Sequence, residues 1–253
     1  MSEKYPRVAI VTGATSGIGE AIARRLVKAG YAVLGNGRNK AKLDALEHEL
    51  GTLFLGLAGD ASEKSLISEM FSQAESQFGR NPDIVVVNAG QGLGGSVKDA
   101  DLDDFDHIQK LNVTGALRLM QKAAKVLEIK QKNSYPDTAA DIVVIGSVSG
   151  RHISPFSAVY GSTKFAVHSL AEGLRREMAP CGVRVSLVEP GLVLSGFQDK
   201  AGYNKEMVDG FEERFGPLLV GEDVAESVNF IVSQPPHVHI SDIVIRPSRQ
   251  DYP

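Results

Sequence analysis

The sequence has little cysteine, no long apolar run and no excess of positive charge. Cys181 is the only cysteine among the 253 residues, so the chain cannot form an intramolecular disulfide, a multi-cysteine metal site or a CxxC redox pair. A disulfide-stapled secreted fold is thereby excluded, and a reducing compartment is the default. We predict a cytoplasmic protein.

Charge and histidine spacing exclude further classes of partner. A net charge of −4 gives no electrostatic footprint for nucleic acid or an anionic membrane. The first apolar run, residues 8–11, is too short for a signal-peptide core or a membrane span. His237 and His239 alternate on an extended segment without a third ligand nearby, so we predict no metal site.

Short β-branched runs alternate with longer segments of helical periodicity along the chain. This alternation is typical of βαβ units on a parallel sheet covered on both faces. With no internal repeat or linker, it predicts a single domain over residues 1–253: an α/β, Rossmann-type doubly wound fold with a seven-stranded parallel sheet flanked by helices. The predicted strands are 8–12, 32–37, 52–59, 84–88, 142–146, 183–189 and 240–246, and the predicted helices are 20–29, 40–50, 63–78, 102–129, 157–178 and 223–234.

Two irregular segments interrupt this pattern. Residues 131–140 are polar and predict a surface loop before the fifth strand. Residues 192–216 follow Pro190-Gly191 without a firm pattern of their own, and we predict a lid or binding loop there.

A glycine-rich turn follows the first predicted strand. Its sequence, Thr12-Gly13-Ala14-Thr15-Ser16-Gly17-Ile18-Gly19, leads into a helix. Glycines at such a turn bring backbone N–H groups and the helix N-terminus close to a pyrophosphate. The turn lacks the Lys-Ser/Thr of a P-loop, which disfavours a phosphoryl-transfer NTPase.

The residues after the second strand point to the type of dinucleotide. An NAD site normally has a carboxylate about 20 residues after the glycines, to bind the ribose 2′-hydroxyl. The corresponding window reads Asn36-Gly37-Arg38-Asn39, and Arg38 stands where a cation would pair with a 2′-phosphate. We therefore predict NADP(H) in preference to NAD(H), although a merely solvated Arg38 is the alternative.

Tyr160 and Lys164 are the candidate acid/base pair. Four residues apart in a helical segment, they share one face. A phenol has an ordinary pKa of about 10, and a neighbouring ammonium lowers it. Tyr160 is thus a candidate acid for carbonyl reduction or base for alcohol oxidation. Ser147, at the end of the fifth predicted strand, is placed to donate a hydrogen bond to a substrate oxygen.

Together these motifs resemble the compact branch of the short-chain dehydrogenase/reductase family. The resemblance runs from about Arg7 to the C-terminus. It rests on the glycine turn, Asn88-Ala89-Gly90, Asn112 in LNVTG, Ser147, the Tyr160-x-x-x-Lys164 pair and Pro190-Gly191. The departures are minor: Val87 stands where the family usually has a second Asn, Ser195 replaces the commoner Thr, and the frequent Asp-Gly-Gly ending is absent.

The resemblance implies a role for each matching residue. Tyr160 is the implied acid/base, Lys164 lowers its pKa and holds the nicotinamide ribose, Ser147 polarises the carbonyl, and Asn112 holds a water that connects Lys164 to solvent. The cofactor-binding residues implied by the glycine turn and the resemblance are Gly13, Ser16, Gly17, Ile18, Gly19, Arg38, Asp60, Ala61, Asn88, Ala89, Gly90, Tyr160, Lys164, Pro190, Gly191, Val193 and Ser195.

The implied activity is hydride transfer between nicotinamide and a small-molecule carbonyl or secondary alcohol, namely a 3-hydroxy acid, aldehyde or ketone. Arg151 is a candidate partner for a substrate carboxylate, with a plain surface cation as the alternative. The resemblance also implies a homo-tetramer or homo-dimer built through segments 102–129 and 157–178. A catalytically silent NAD(P)-binding regulator or scaffold is the rival hypothesis, and the presence of all four catalytic side chains disfavours it.

Overall fold

The computed structural model describes residues 7–153, 157–197 and 201–252. Seven parallel strands form one sheet in the order β3-β2-β1-β4-β5-β6-β7. The strands are β1 Val8–Thr12, β2 Ala32–Gly37, β3 Phe54–Ala58, β4 Ile84–Val87, β5 Ala140–Ile145, β6 Val183–Pro190 and β7 Asp242–Ile245. The predicted fold class is therefore confirmed, with each predicted strand present and its ends shifted by at most two residues.

The helices pack on both faces of the sheet. They are α1 Gly17–Lys28, α2 Lys40–Leu50, α3 Lys64–Phe78, α4 Leu102–Gln109, α5 Ala116–Gln131, α6 Ala158–Met178, α7 Lys205–Phe215 and α8 Gly221–Val232. One apolar core lies between the sheet and α3, α5 and α6, and the second lies between the sheet and α1, α2 and α8. Among the described residues, no helix combines the length and apolar character needed to cross a bilayer.

Two predicted segments differ from the structure. The single helix predicted over 102–129 is broken by a π-helical stretch, Lys110–Gly115, which separates α4 from α5. Such stretches insert an extra residue into a helix and occur often at functional sites. The loop predicted over 192–216 contains α7, whose N-cap Asn204 accepts a hydrogen bond from the Met207 N–H at 2.8 Å.

The strand order places a binding crevice at the carboxyl ends of the central strands. The chain runs outward from β1 to β3 and then crosses over to β4, which lies on the other side of β1. In open α/β sheets, ligands bind beyond the carboxyl ends of the strands at such a switch point. Thr12 and Val87 therefore end their strands beside the expected ligand position.

Candidate active site

The glycine-rich turn opens the first of two adjoining clefts, which has a volume of about 240 Å³. Gly13 and Gly17 have φ values of +72° and +52°, which favour glycine. A Cβ on Gly19 would collide with the Gly13 carbonyl, so α1 can approach the turn closely only with glycine there. The turn thus presents backbone and a helix N-terminus to the cleft, without side chains that would fill it.

The end of β4 is fastened to the end of β1 beneath this turn. Asn88 donates from Nδ2 to the Thr12 carbonyl at 2.8 Å, and the backbone N–H groups of Asn88 and Ala89 both donate to Thr12 Oγ1 at 3.1 Å. Asn88 therefore holds the two strand ends together at the switch point, in addition to lining the first cleft.

The far end of the first cleft carries Arg38 and Asp60. The Arg38 side chain is exposed and has no hydrogen-bond or ion-pair partner among the described residues. Burial raises the pKa of Asp60, but hydrogen bonds from Ser62 and the charges of Lys110 and Arg38 outweigh it and leave the pKa below its ordinary value. Asn36 spans β2 and β3 by donating from Nδ2 to the carbonyls of Leu57 and Gly59 at 2.9 and 3.2 Å.

Tyr160 lies where the first cleft meets the second, and its side chain lines both. It is 8% exposed, and its ring packs edge-on against Phe197 with 5.3 Å between centroids. Burial raises the pKa of the phenol, a hydrogen bond with Ser147 lowers it in part, and the neighbouring Tyr203 raises it. The pKa lies above its ordinary value, so Tyr160 is protonated at neutral pH.

The predicted lowering of that pKa by Lys164 is wrong in this structure. Lys164 directs its Nζ to the Ile145 carbonyl at 2.9 Å and lies 5.9 Å from the centre of the Tyr160 ring. The ammonium therefore points to the strand end, and the Tyr160 ring packs against Phe197. Burial also lowers the pKa of Lys164 to about 8.

The backbone of Ser147 is positioned by a hydrogen bond to a histidine that the sequence analysis did not single out. The Ser147 N–H donates to His168 Nε2 at 3.2 Å, and the Ser147 hydroxyl accepts from the Ser149 N–H at 3.1 Å. The His168 ring fills the space beside Gly146 and Gly150, where a Cβ on either residue would collide with it. The sequence signal was the pair of glycines flanking Ser147, which leave room for a ring from α6.

Arg151 does not face the substrate side. Its guanidinium binds the buried Glu189 carboxylate through two hydrogen bonds of 2.9 and 2.6 Å, and it lines neither cleft. A carboxylate of this chain thus already occupies the guanidinium. The structure therefore gives no support to pairing with a substrate carboxylate, which stays a prediction, and Arg151 is a surface cation, 45% exposed, that pairs within the chain.

Asn112 lies in the π-helical stretch behind the clefts and lines neither of them. Its Oδ1 accepts from the Gln91 N–H at 2.9 Å, and its Nδ2 donates to the Gln91 carbonyl and to Thr163 Oγ1 at 2.9 and 3.1 Å. Thr163 in turn donates to the Tyr160 carbonyl at 2.7 Å. Asn112 therefore ties the loop after β4 to the Tyr160 turn of α6, and its predicted water-holding role stays a prediction.

Apart from Asn112 and Arg151, all of the predicted site residues line one or both of the two clefts. Pro190, Gly191, Val193 and Ser147 line the second cleft, and Ile18 and Ser195 line both. Those that line the first cleft are Gly13, Ser16, Gly17, Ile18, Gly19, Arg38, Asp60, Ala61, Asn88, Ala89, Gly90, Tyr160 and Lys164.

The second cleft, of about 510 Å³, contains residues that the sequence analysis missed. Four of them, Tyr203, Met207, Phe211 and Phe215, recur every four residues on and just before α7. That spacing is the signal that was available, since it marks one apolar face of a helix. The C-terminal residues Gln250 and Tyr252 complete the wall.

Comparisons with known proteins agree with this geometry. The family model for short chain dehydrogenases matches residues 7–206. An uncharacterized oxidoreductase of Staphylococcus epidermidis is 33% identical over 247 residues, which cover 98% of this chain and 100% of the relative.

Two solved structures also superimpose on nearly the whole chain. A closed form of serine dehydrogenase with NADP+ gives a TM-score of 0.88 at 29% identity, covering 97% of this chain and 96% of the other. A 3-ketoacyl-(acyl-carrier-protein) reductase of Brucella melitensis with NADH gives 0.87 at 28%, covering 97% and 98%. With its parallel sheet, glycine turn and Ser147–Tyr160–Lys164 site, the chain belongs to the short-chain dehydrogenase/reductase family of oxidoreductases.

Proposed function

We propose that the protein is an NADP(H)-dependent oxidoreductase that interconverts a carbonyl compound and the corresponding alcohol, with Tyr160 as the acid/base. The carbonyl compound is a 3-oxo acid, an aldehyde or a ketone. The observation that carries this proposal is the position of Tyr160. Its side chain lines both clefts, and the nearby Ser147 side chain acts to lower its pKa. A ligand in the first cleft and a substrate in the second would therefore meet at its hydroxyl.

The residues of the first cleft fit a dinucleotide. Gly13, Gly17 and Gly19 leave a cradle that side chains would fill, and the N-terminus of α1 faces it. The Arg38 guanidinium at the far end supports a 2′-phosphate, because no carboxylate of the described residues pairs with it in an ion pair. When bound, nicotinamide supplies or accepts the hydride.

The side chains around Tyr160 perform the proton transfer and orient the substrate. In reduction, the protonated Tyr160 donates its proton to the carbonyl oxygen, and Ser147 donates a hydrogen bond to the same oxygen as charge develops there. Lys164 keeps a positive charge beside this turn below a pH of about 8. Asn112 fixes the turn through Thr163.

The test is oxidation of NADPH and of NADH, followed by absorbance, across 3-oxo acids, aldehydes and neutral ketones. Tyr160→Phe removes only the hydroxyl, so turnover should fall about 10²- to 10⁴-fold while the dissociation constant for NADPH stays unchanged. Wild-type activity that survives in Tyr160→Phe would overturn the assigned role. Tight NADPH binding without turnover on any substrate would support the regulator hypothesis instead.

A further inference from the structure

The second cleft has an apolar roof. Tyr203, Met207, Phe211 and Phe215 line it from one side. The Phe211 ring lies 5.8 Å from the Tyr203 ring in an edge-on arrangement and 6.4 Å from the Phe215 ring in a stacked one. The aromatic rings thus contact one another and form a continuous apolar surface in the cleft that Tyr160 also lines.

Apolar side chains from other elements also line the second cleft. Val148, Leu192 and Val193 line it from the loops after β5 and β6, and Phe197 lies against Tyr160. At about 510 Å³, the cleft has the size usual for small-molecule sites of roughly 300–1,000 Å³. A hydroxy acid of three or four carbons would leave much of this apolar surface in contact with water.

The charges around the cleft do not favour a carboxylate. Among the described residues, Arg214 is the one cation that lines it. The Arg214 guanidinium pairs with Asp251 at 3.1 Å and lies 4.7 Å from the centre of the Phe215 ring. Since Arg151 is bound to Glu189, both arginines near the site already face carboxylates of this chain.

The C-terminal tail, residues 248–252, holds this wall in place. Gln250 accepts a hydrogen bond from the Leu192 N–H at 3.0 Å, and the Tyr252 hydroxyl donates to the Ile153 carbonyl at 3.2 Å. Arg249 donates to the Gly216 carbonyl at 3.2 Å, just beyond α7. The tail therefore connects α7 to the loops after β5 and β6, which together surround the cleft.

We propose that the second cleft selects a ketone or secondary alcohol whose skeleton beyond the reacting carbon is apolar and of aromatic or alicyclic size, and that α7 and the C-terminal tail set this preference. The inference rests on the proposed function, since it assigns the substrate of the same site. In reduction, NADPH and a proton convert the ketone to its alcohol and NADP+.

The experiment compares kcat/KM for acetophenone and 3-oxobutanoate with NADPH, and for 1-phenylethanol and serine with NADP+. We expect the aryl substrates to be favoured at least tenfold, because each apolar group placed in such a pocket changes discrimination by about 10- to 200-fold. Phe211→Ala should lower kcat/KM for acetophenone about tenfold and leave that for 3-oxobutanoate nearly unchanged. Glu206→Ala is the matched control, because Glu206 is exposed on α7 and does not line the cleft.

Two results would overturn the inference while the proposed function stands. One is a higher kcat/KM for 3-oxobutanoate or serine, and the other is an equal effect of Phe211→Ala on both substrate classes. Saturation-transfer NMR with 1-phenylethanol separates recognition from chemistry. Binding that Phe211→Ala abolishes, without turnover in the wild type, would support the cleft's selectivity and contradict the proposed function. Absence of both binding and turnover with the aryl compounds would contradict the inference.

Discussion

His168 Nε2 accepts a hydrogen bond from the backbone N–H of Ser147 at 3.2 Å. On its other side, His168 Nδ1 lies 3.6 Å from Glu189, which is fully buried and bound to Arg151. Burial lowers the pKa of His168 to about 4, against the opposing effect of Glu189. The ring is therefore neutral at pH 7 and able to accept at Nε2, so His168 is a positioning residue for Ser147.

We predict that His168→Leu lowers kcat about fivefold, because it removes a hydrogen bond of about 1 kcal/mol and leaves the Ser147 N–H without its acceptor. The dissociation constant for NADPH should be unchanged. His168→Gln keeps an amide near both partners and should recover part of the rate. An equal loss in both variants, or a loss confined to cofactor binding, would contradict a positioning role.

The same histidine makes stability depend on pH. The unfolded chain binds a proton at an ordinary histidine pKa of about 6.5, whereas the folded protein binds it only near pH 4. The free energy of unfolding should therefore fall as the pH is lowered from about 6.5 to 4. Urea unfolding across this range should show a shallower decline in His168→Gln. The same slope in both proteins would contradict the prediction.

Arg38 is predicted to determine the choice of cofactor. Arg38→Ala should raise the dissociation constant of NADPH by about 10- to 100-fold, since it removes a charge-assisted contact of about 1.5–3 kcal/mol, and should leave that of NADH nearly unchanged. Lys42→Ala is a suitable control, because Lys42 is an exposed cation on α2 that does not line the cleft. Calorimetric titration measures both constants, and a parallel loss for the two cofactors would contradict the assignment.

The rate of reduction should fall above about pH 8. Tyr160 is protonated through this range because burial raises its pKa, whereas Lys164 loses its proton near pH 8. The positive charge that Lys164 carries, one helical turn from Tyr160, is thus present below about pH 8 and lost above it. The measurement is kcat/KM for ketone reduction between pH 6 and 10. Lys164→Arg retains its charge at high pH, so a decline that persists in that variant would assign it to another group.

A buried ion cluster near the amino ends of β5 and β6, at the end of the sheet away from the clefts, should affect stability without affecting catalysis. Asp141 binds Arg184 through hydrogen bonds of 2.7 and 2.9 Å and also pairs with Arg7, and Asp141 and Arg184 are almost fully buried. Asp141→Ala should lower the free energy of unfolding by about 3–5 kcal/mol, because it leaves buried cations unpaired.

Denaturant unfolding tests this prediction, with kcat measured well below the transition. Glu172→Ala is the control, since it breaks an ion pair with Arg175 that is exposed to solvent and should change stability little. A clear loss of kcat in Asp141→Ala, measured under conditions where the protein is folded, would contradict the prediction that this cluster affects stability alone.

The predicted homo-oligomer is testable at α5 and α6. Leu117 and Phe165, on these helices, are 42% and 40% exposed, so both side chains are accessible to a partner chain. Phe165→Glu should therefore shift the molar mass measured by light scattering toward that of one chain. A wild-type chain that is monomeric at every concentration would contradict the prediction.

The local features of this protein could be predicted from its sequence. Strands buried on both faces are continuous apolar runs, so the order of elements and the parallel sheet followed from pattern alone. Gly13, Gly17 and Gly19 follow directly from β1, and Tyr160 and Lys164 are one helical turn apart. The residues within each of these motifs are close in the chain, so a local sequence pattern is enough to predict that they lie close together in the structure.

The tertiary structure decided what surrounds those residues. His168 lies 21 residues from Ser147, Glu189 lies 38 residues from Arg151, and Gln250 lies 58 residues from Leu192. Such contacts arise where separate elements meet, so no local pattern specifies them. Burial acts in the same way: the pKa of Tyr160 rises because the folded chain removes water from its hydroxyl, and the neighbouring Tyr203 raises it further. The helical spacing of Tyr160 and Lys164 alone had predicted the opposite shift.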